Sequence, residues 1–331
     1  MLGALRRPTV TPAELIRNVL RGTNDVVAVT GATGWLGSVA VDLLYQALGD
    51  DAPDRVAAYA STAREIVVSD GRTVPVRPLP ELSSQTPAPT TLLHFAFLTR
   101  DRLAGIGIDS YTRQNVAITA AAVDAIATHR PRRVVVASSG AVHASSGGPV
   151  SDLAADPYGT LKHLDELALR TATSDVGGVC VIPRIFSVAG RGMARPELYA
   201  LGHLVTMAAT GGPIDVRAQG PVVRSYCGAD EVVALALWVA FAGHSTVFDT
   251  CGDPVEMGDL ARLIAQVHGL GPDVVRRNWD PDAVADRYVG EGQRMQELAA
   301  AARLSLRSLE DLVRETSAAV VGAHPEARGP R

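Results

Sequence analysis

Residues 26–37 read VVAVTGATGWLG, and this stretch decides the fold. Its first half is an apolar run rich in β-branched residues, as in a buried strand, and a helical pattern follows from 35 to 48. Gly31, Gly34 and Gly37 lie in the turn between them. Glycine permits a tight turn and a close approach of pyrophosphate, and the helix N-terminus offers free N–H groups. The stretch therefore predicts a dinucleotide-binding turn.

Strands and helices alternate along the chain that follows. Strands are predicted at VAAYA (56–60), TLLHFA (91–96), RVVVA (133–137) and GGVCVIPRIF (177–186), with helices at 112–129 and 157–172. Continuous apolar strands alternating with helices are typical of a parallel sheet covered on both faces. We therefore predict an α/β fold with a doubly wound parallel sheet of Rossmann type. The last third of the sequence is less regular.

Composition excludes several classes of protein. The net charge of −4 provides no basic field for nucleic acid or for an anionic membrane. No uninterrupted apolar run is long enough for a transmembrane helix, and Met1–Thr11 lacks the apolar stretch of a signal peptide. We therefore expect a cytoplasmic protein. The three cysteines are far apart and form no metal-binding motif, so no metal site is expected.

A candidate catalytic set follows the strand at 133–137. Ser138 and Ser139 come where that strand ends, and open α/β sheets bind ligands at this edge. Downstream, Tyr158 and Lys162 are four residues apart, on one face of a predicted helix. An ammonium near a phenol lowers the phenol's pKa, which suits acid–base catalysis. A serine hydroxyl can hold the substrate oxygen from the other side.

Lys162 is the only lysine among 31 basic residues. This bias is typical of genome composition, and it suggests that this position resisted replacement by arginine. A chance tyrosine four residues before the lysine has odds of roughly one in fifty. The order strand, serine, helix, tyrosine, lysine makes chance a much weaker explanation.

The chain resembles the extended short-chain dehydrogenases, a family of nucleotide-sugar epimerases, dehydratases and ketoreductases. The resemblance covers nearly all of the chain after residue 25. It rests on these motifs: TGATGWLG (30–37), LLHFAFL (92–98), RRVVVASSGAVH (132–143), PYGTLK (157–162), PRIFSVAGRG (183–192) and VVRSYCGADEVVAL (222–235).

The resemblance implies roles for particular residues. The catalytic residues would be Ser139, Tyr158, Lys162 and Asn115. The residues that bind the cofactor would be Gly31, Thr33, Gly34, Trp35, Leu36, Gly37, Ser61, Arg64, Phe95, Ala96, Tyr158, Lys162 and Pro183. The residues that bind the substrate would be Ser139, Ser187 and Arg224, where Arg224 meets a nucleotide diphosphate. An ion pair of Arg224 with Asp230 or Glu231 is the structural alternative.

The family resemblance also implies the domain organisation. A helical extension (1–24) precedes a dinucleotide-binding domain formed by 25–186 and 225–252. The smaller α/β substrate domain comprises 187–224 and 253–320, and 321–331 form a tail. A homodimer is expected.

Several positions depart from the family pattern. The acidic residue after the second strand is absent, since Ala60 is followed by Ser61. Its absence and the nearby Arg64 favour NADP, with NAD as the alternative. The Thr-Asp-Glu of the 4,6-dehydratases is replaced by Ser139-Gly140-Ala141, which disfavours simple dehydration. Ser187 replaces an asparagine that often contacts the sugar nucleotide.

These observations favour an enzyme that moves a hydride between NAD(P) and a carbon of a nucleotide-linked sugar. Epimerisation and ketoreduction both fit the residues. Two alternatives stay open: an NADPH-dependent ketoreductase of a non-nucleotide small molecule, and a non-catalytic dinucleotide-binding protein. The complete Ser-Tyr-Lys set disfavours the last, because binding alone does not need it.

The first prediction concerns the cofactor. NADPH is expected to bind more tightly than NADH, because Ala60 offers no carboxylate for a ribose hydroxyl and Arg64 suits a 2′-phosphate. Titration calorimetry with both cofactors measures the difference, and Arg64→Asp is expected to weaken NADPH binding specifically. Equal affinities, or a preference for NADH, would contradict the prediction.

Overall fold

The computed structural model describes residues 9–143 and 148–323. The rest of the predicted extension (1–8), the residues 144–147 and the predicted tail from 324 onward lie outside the described residues. The helices are α1 Pro12–Leu20, α2 Trp35–Leu48, α3 Ala52–Arg55, α4 Leu103–Ile106, α5 Ile108–His129, α6 Pro157–Asp175, α7 Ala200–Ala209, α8 Ala229–Phe241, α9 Met257–Val267, α10 Gln293–Ala302 and α11 Leu309–Ala323. Among the described residues, none of the helices is both long enough and apolar enough to cross a membrane.

The strands are β1 Val27–Thr30, β2 Val56–Ala60, β3 Arg64–Val67, β4 Thr73–Pro78, β5 Thr91–His94, β6 Arg133–Val136, β7 Ser138–Ser139, β8 Val179–Ile185, β9 Ser187–Ala189, β10 Ile214–Asp215, β11 Val222–Gly228, β12 Thr246–Asp249, β13 Pro254–Glu256, β14 Val275–Arg276 and β15 Asp286–Tyr288.

The central sheet has the strand order β12-β8-β6-β5-β1-β2-β4-β3, and β7 also pairs with β8. These pairings are parallel, except for the antiparallel hairpin of β3 and β4. This confirms the predicted Rossmann-type fold. The chain leaves β1 toward β2 on one side and returns at β5 on the other. Ligands of such sheets bind at this switch point, outside the carboxyl ends of the strands.

A second layer of strands lies beside the central sheet. β11 pairs with β9, β13 and β15, and β10 pairs with β14. An apolar cluster beneath them includes residues of α7, α9 and α11. The predicted domain boundary between residues 224 and 225 falls inside β11, which is one continuous strand.

An ion-pair cluster joins the two parts of the molecule. The guanidinium of Arg307 contacts Asp230 and Glu231 on α8, and Glu315 on α11. Glu231 is almost fully buried and also accepts a hydrogen bond from the Gly228 N–H at the start of α8. The cluster therefore ties α11 to the first turn of α8, a helix that packs on the central sheet.

Candidate active site

The glycine turn has the geometry of a phosphate-binding loop. Gly31 has φ +69°, and a Cβ there would lie 2.6 Å from the Ala96 nitrogen and from the Phe95 carbonyl carbon. A Cβ on Gly37 would lie 2.0 Å from the Gly31 oxygen. No side chain among the described residues caps α2 at Gly34, so its first N–H groups are free to bind an anion. These residues fit the pyrophosphate of a dinucleotide cofactor.

Trp35 connects this turn to the segment between β9 and α7. Its indole N–H donates to the Arg191 carbonyl, and its ring meets Tyr199 edge-on at 5.0 Å. Thr33 and Leu36 are half-buried. The predicted cofactor turn therefore also contacts the segment between β9 and α7.

The end of β2 is polar and exposed. Ser61 and Arg64 both lie at the surface, and the Arg64 guanidinium donates to Thr62 Oγ1 at 2.9 Å. Arg64 begins β3, the edge strand of the central sheet. The predicted site for an adenosine ribose thus has a nearby guanidinium, and the expectation of NADP rests on this feature.

Helix α6 brings Tyr158 beside Ser139. Asp156 accepts a hydrogen bond from the Gly159 N–H and caps the helix, with Pro157 at its first position. A Cβ on Gly159 would lie only 2.2 Å from the Ala141 oxygen. The first turn of α6 therefore packs directly on the turn that follows Ser139.

Lys162 is 5% exposed and has three partners. Its Nζ donates to the Ala137 carbonyl at 2.8 Å, lies 3.5 Å from Asp165 Oδ2, and lies 3.7 Å from the centre of the Phe97 ring. Burial lowers the pKa of Lys162, while Asp165 opposes the change. The ammonium is thus held by a carbonyl, a carboxylate and an aromatic face.

Asp165 connects Lys162 to further buried groups. It accepts a hydrogen bond from Thr119 Oγ1 at 2.7 Å and lies 3.8 Å from His94 Nε2. Burial lowers the pKa of His94 to about 4, so this imidazole is neutral at neutral pH. The carboxylate of Asp165 therefore faces one cation, Lys162, in this buried cluster.

The environment of Tyr158 differs from the expectation. We expected Lys162 to lower the pKa of the phenol, but burial raises it to about 12. The neighbouring Ser139 hydroxyl and the charge of Arg100 oppose this rise in pKa, and the guanidinium carbon of Arg100 lies 5.4 Å from the Tyr158 ring centre. Phe97 packs edge-on against Tyr158 and also covers Lys162. The cation that acts on the phenol in this structure is Arg100.

Asn115 has a supporting contact. Its Oδ1 accepts a hydrogen bond from the Leu98 N–H at 2.8 Å, and Tyr111 donates to the Leu98 carbonyl at 2.6 Å. These bonds hold the segment that carries Phe97 and Arg100. The predicted catalytic asparagine therefore positions the loop after β5.

The predicted substrate-binding residues lie in different places. Arg224 Nη2 is 2.6 Å from Asp286 Oδ2, and its other terminal nitrogen donates to the carbonyls of Val223 and Asp286. The alternative of an ion pair with Asp230 or Glu231 is wrong, because those two carboxylates contact Arg307.

Ser187 and Pro183 both lie within β-strands. Ser187 begins β9 and pairs with Tyr226 of β11. Pro183 is buried in β8, where it pairs with Phe248 of β12.

Some residues of the site were missed by the sequence analysis. Tyr288 lies 3.1 Å from Ser139 Oγ through its hydroxyl. Glu166 accepts from Ser138 Oγ at 2.5 Å and forms two hydrogen bonds with Arg184. Asp165 and Glu166 follow Lys162 by three and four residues. This spacing places them on the same helix face as Lys162, so they could have been predicted from the sequence. No such spacing links Tyr288 to the other residues of the site.

Comparison with known proteins identifies the family. Residues 27–248 match the model of the NAD dependent epimerase/dehydratase family. A search of curated protein sequences finds no match. The match covers more than half of the chain, so this protein belongs to the NAD-dependent epimerase/dehydratase family.

Solved structures share the fold. MoeE5 in complex with UDP-glucose and NAD is 21% identical with a TM-score of 0.70, and the match covers 90% of this chain and 99% of that one. UDP-N-acetylglucosamine 4-epimerase from Methanobrevibacter ruminantium M1 is 17% identical with a TM-score of 0.70, over 91% and 99%. The dTDP-glucose 4,6-dehydratase DesIV from Streptomyces venezuelae is 21% identical with a TM-score of 0.68, over 91% and 98%.

The second prediction concerns Lys162. Lys162→Arg is expected to lower turnover at least hundredfold, about 3 kcal/mol of transition-state stabilisation, although the charge is retained. A planar guanidinium is wider than an ammonium and does not fit between the Ala137 carbonyl and the Phe97 ring. Steady-state turnover of both proteins measures the loss, with circular dichroism as the control for folding. Near-wild-type turnover by a folded variant would show that any positive charge suffices.

Proposed function

We propose that this protein is an NAD(P)-dependent enzyme that moves a hydride to or from a carbon of a nucleotide-linked sugar. The observation that carries the proposal is the position of Ser139, Tyr158 and Lys162 beside the loop after β5. That loop touches the glycine turn at Gly31 and then contacts both Lys162 and Tyr158 through Phe97. The cofactor turn and the catalytic groups are thus neighbours through one short segment of chain.

Each group of residues at the site has its own role in the proposed reaction. A bound nicotinamide cofactor would supply or accept the hydride. The glycine turn and the N-terminus of α2 would hold its pyrophosphate. Tyr158, whose high pKa keeps it protonated in the free protein, gives a proton to the substrate oxygen in reduction and takes one back in oxidation. Ser139 donates a hydrogen bond to the same oxygen, and the charge of Arg100 favours the phenolate.

Epimerisation and ketoreduction use the same groups. An epimerase would remove and return the hydride on one sugar and leave the cofactor unchanged, while a ketoreductase would consume it. The absence of an acid and a base at Gly140 and Ala141 disfavours elimination of water. Relatives in fold bind UDP-glucose or related nucleotide sugars, which supports this class of substrate.

A second candidate is an NADPH-dependent ketoreductase of a small molecule without a nucleotide. The observation in its favour is Arg224, whose guanidinium already bonds to Asp286 and to two carbonyls. An arginine with these partners must exchange them before it can hold a diphosphate. A panel of nucleotide sugars and small ketones, followed by NADPH absorbance and by NMR of the products, separates the two functions.

The third prediction tests the proposed acid–base group. Tyr158→Phe is expected to lower turnover by roughly 10²- to 10⁴-fold, because the hydroxyl transfers the proton. Cofactor affinity is expected to stay close to that of the wild type, since the ring is retained. Turnover assays and calorimetry measure the two effects. Substantial remaining activity would mean that another group carries the proton.

A homodimer is part of the proposal. The helices α5 and α6 pack against each other, and apolar side chains on both are exposed. They are Val116 on α5 and Leu164 and Leu167 on α6. A second copy of this chain would cover these side chains.

The fourth prediction tests the dimer. Leu164→Arg is expected to weaken dimerisation at least about tenfold, because an unpaired guanidinium would be buried in the interface. Light scattering over a range of protein concentrations measures the mass. Leu198→Arg is the matched control, because Leu198 is similarly exposed (43% against 46%) but lies far along the chain, just before α7. A monomeric wild type, or equal effects of both variants, would contradict the prediction.

A further inference from the structure

Tyr288 brings a second phenol to the candidate active site from the small domain. It ends β15, which runs parallel to β11 and places Tyr288 opposite Arg224. Its hydroxyl lies 3.1 Å from Ser139 Oγ and 3.5 Å from the Ile185 carbonyl. A residue 149 positions from Ser139 in sequence therefore contacts the predicted catalytic serine directly.

Packing holds the Tyr288 ring in this place. The ring lies 4.7 Å from the Phe186 ring, at 43° between their planes. Phe186 is in turn enclosed by two glycines. A Cβ on Gly140 would lie 2.5 Å from the Phe186 ring, and a Cβ on Gly290 would lie 2.8 Å from it. The aromatic pair is fitted into the space that these glycines leave.

The donors and acceptors around Ser139 indicate which hydroxyl donates the proton in the hydrogen bond between Tyr288 and Ser139. A serine hydroxyl has one proton to donate and two lone pairs. One lone pair of Ser139 Oγ already accepts the Ala141 N–H at 3.2 Å. Tyr288 can donate to Ser139 at 3.1 Å or to the Ile185 carbonyl at 3.5 Å, and the second distance is at the outer limit of a hydrogen bond. Donation to Ser139 is therefore favoured.

This direction has a chemical consequence. With both lone pairs of Ser139 occupied, by Ala141 and by Tyr288, the serine can act only as a donor. Its single proton is then directed to another oxygen at the site. The phenol oxygen of Tyr158 is the nearby candidate, because the first turn of α6 packs on the turn that follows Ser139, and Ser139 lowers the pKa of Tyr158.

We propose that Tyr288 is a positioning residue of the active site, which makes Ser139 an obligate hydrogen-bond donor to the oxygens of Tyr158 and the substrate. The inference rests on the proposed function, in which Ser139 and Tyr158 handle the substrate oxygen. It adds that the small domain supplies one hydroxyl of the catalytic network, so the network is complete only when that domain is in place.

The fifth prediction is the effect of Tyr288→Phe. Loss of the single hydroxyl is expected to lower kcat about tenfold, the effect of one ordinary hydrogen bond. Cofactor affinity is expected to be unchanged. Tyr226→Phe is the matched control, because it removes a phenol oxygen from another buried tyrosine on the neighbouring strand β11. The control is expected to keep wild-type kcat.

A double-mutant cycle separates positioning from simple structural support. If Tyr288 acts through Ser139, Tyr288→Phe has little further effect once Ser139→Ala is present. A structural role would cause the same tenfold loss in both backgrounds, and that result would overturn the inference. Wild-type kcat in Tyr288→Phe, with Tyr158→Phe inactive, would also overturn it while leaving the proposed function intact. An active Tyr158→Phe would instead refute the proposed function.

A second readout needs no substrate. Protein labelled with carbon-13 at the tyrosine Cζ gives one NMR signal for each phenol, and the signal of Tyr158 is the one lost in Tyr158→Phe. This signal is expected to move in both Tyr288→Phe and Ser139→Ala, and to stay in place in Tyr226→Phe. A Tyr158 signal that is unchanged in Tyr288→Phe would contradict the proposed coupling.

Discussion

The contact between Gly31 and the backbone of Phe95 and Ala96 is the constraint on which the rest of the site depends. The α-carbon of Gly31 is so close to this backbone that no side chain fits between them. Two loops on either side of the switch point are thereby locked together. One loop leads into α2, whose N-terminus suits an anion, and the other continues to Phe97 and the catalytic helix. A change at this contact would displace both halves of the site.

Burial raises the pKa of the Tyr158 phenol, and the charges around it oppose this rise only weakly because most of them are paired. Lys162 faces Asp165, and Glu166 faces Arg184, so neither cation is free to act strongly at a distance. Arg100 is more exposed and stands over Tyr158. The phenol of Tyr158 is therefore protonated in the free protein at neutral pH.

Local patterns in the sequence predicted local structure well. The bounds of α2 and β2 matched the apolar periodicity, because glycine and short loops punctuate both. The β3–β4 hairpin was missed, because β4 contains prolines and its neighbour is exposed. Helix α8 was missed because it is buried almost all round and so lacks a helical period.

The site followed the same rule. Ser139, Tyr158 and Lys162 were found because their spacing is local to one strand and one helix. The pKa of Tyr158 and the position of Tyr288 in the site depend on packing between distant segments, through Phe97 and β15. The residues next to Tyr158 and Tyr288 in sequence do not predict that packing.

Because Lys162 is the only lysine in the sequence, it is the only side chain that carries a primary amine. Reagents that acylate primary amines find a single side chain in the whole sequence, and in this structure it lies beneath Phe97. Acylation of Lys162 therefore requires that Phe97 or another neighbour of the ammonium move aside. The reactivity of this one native amine thus reports on motion at the candidate active site.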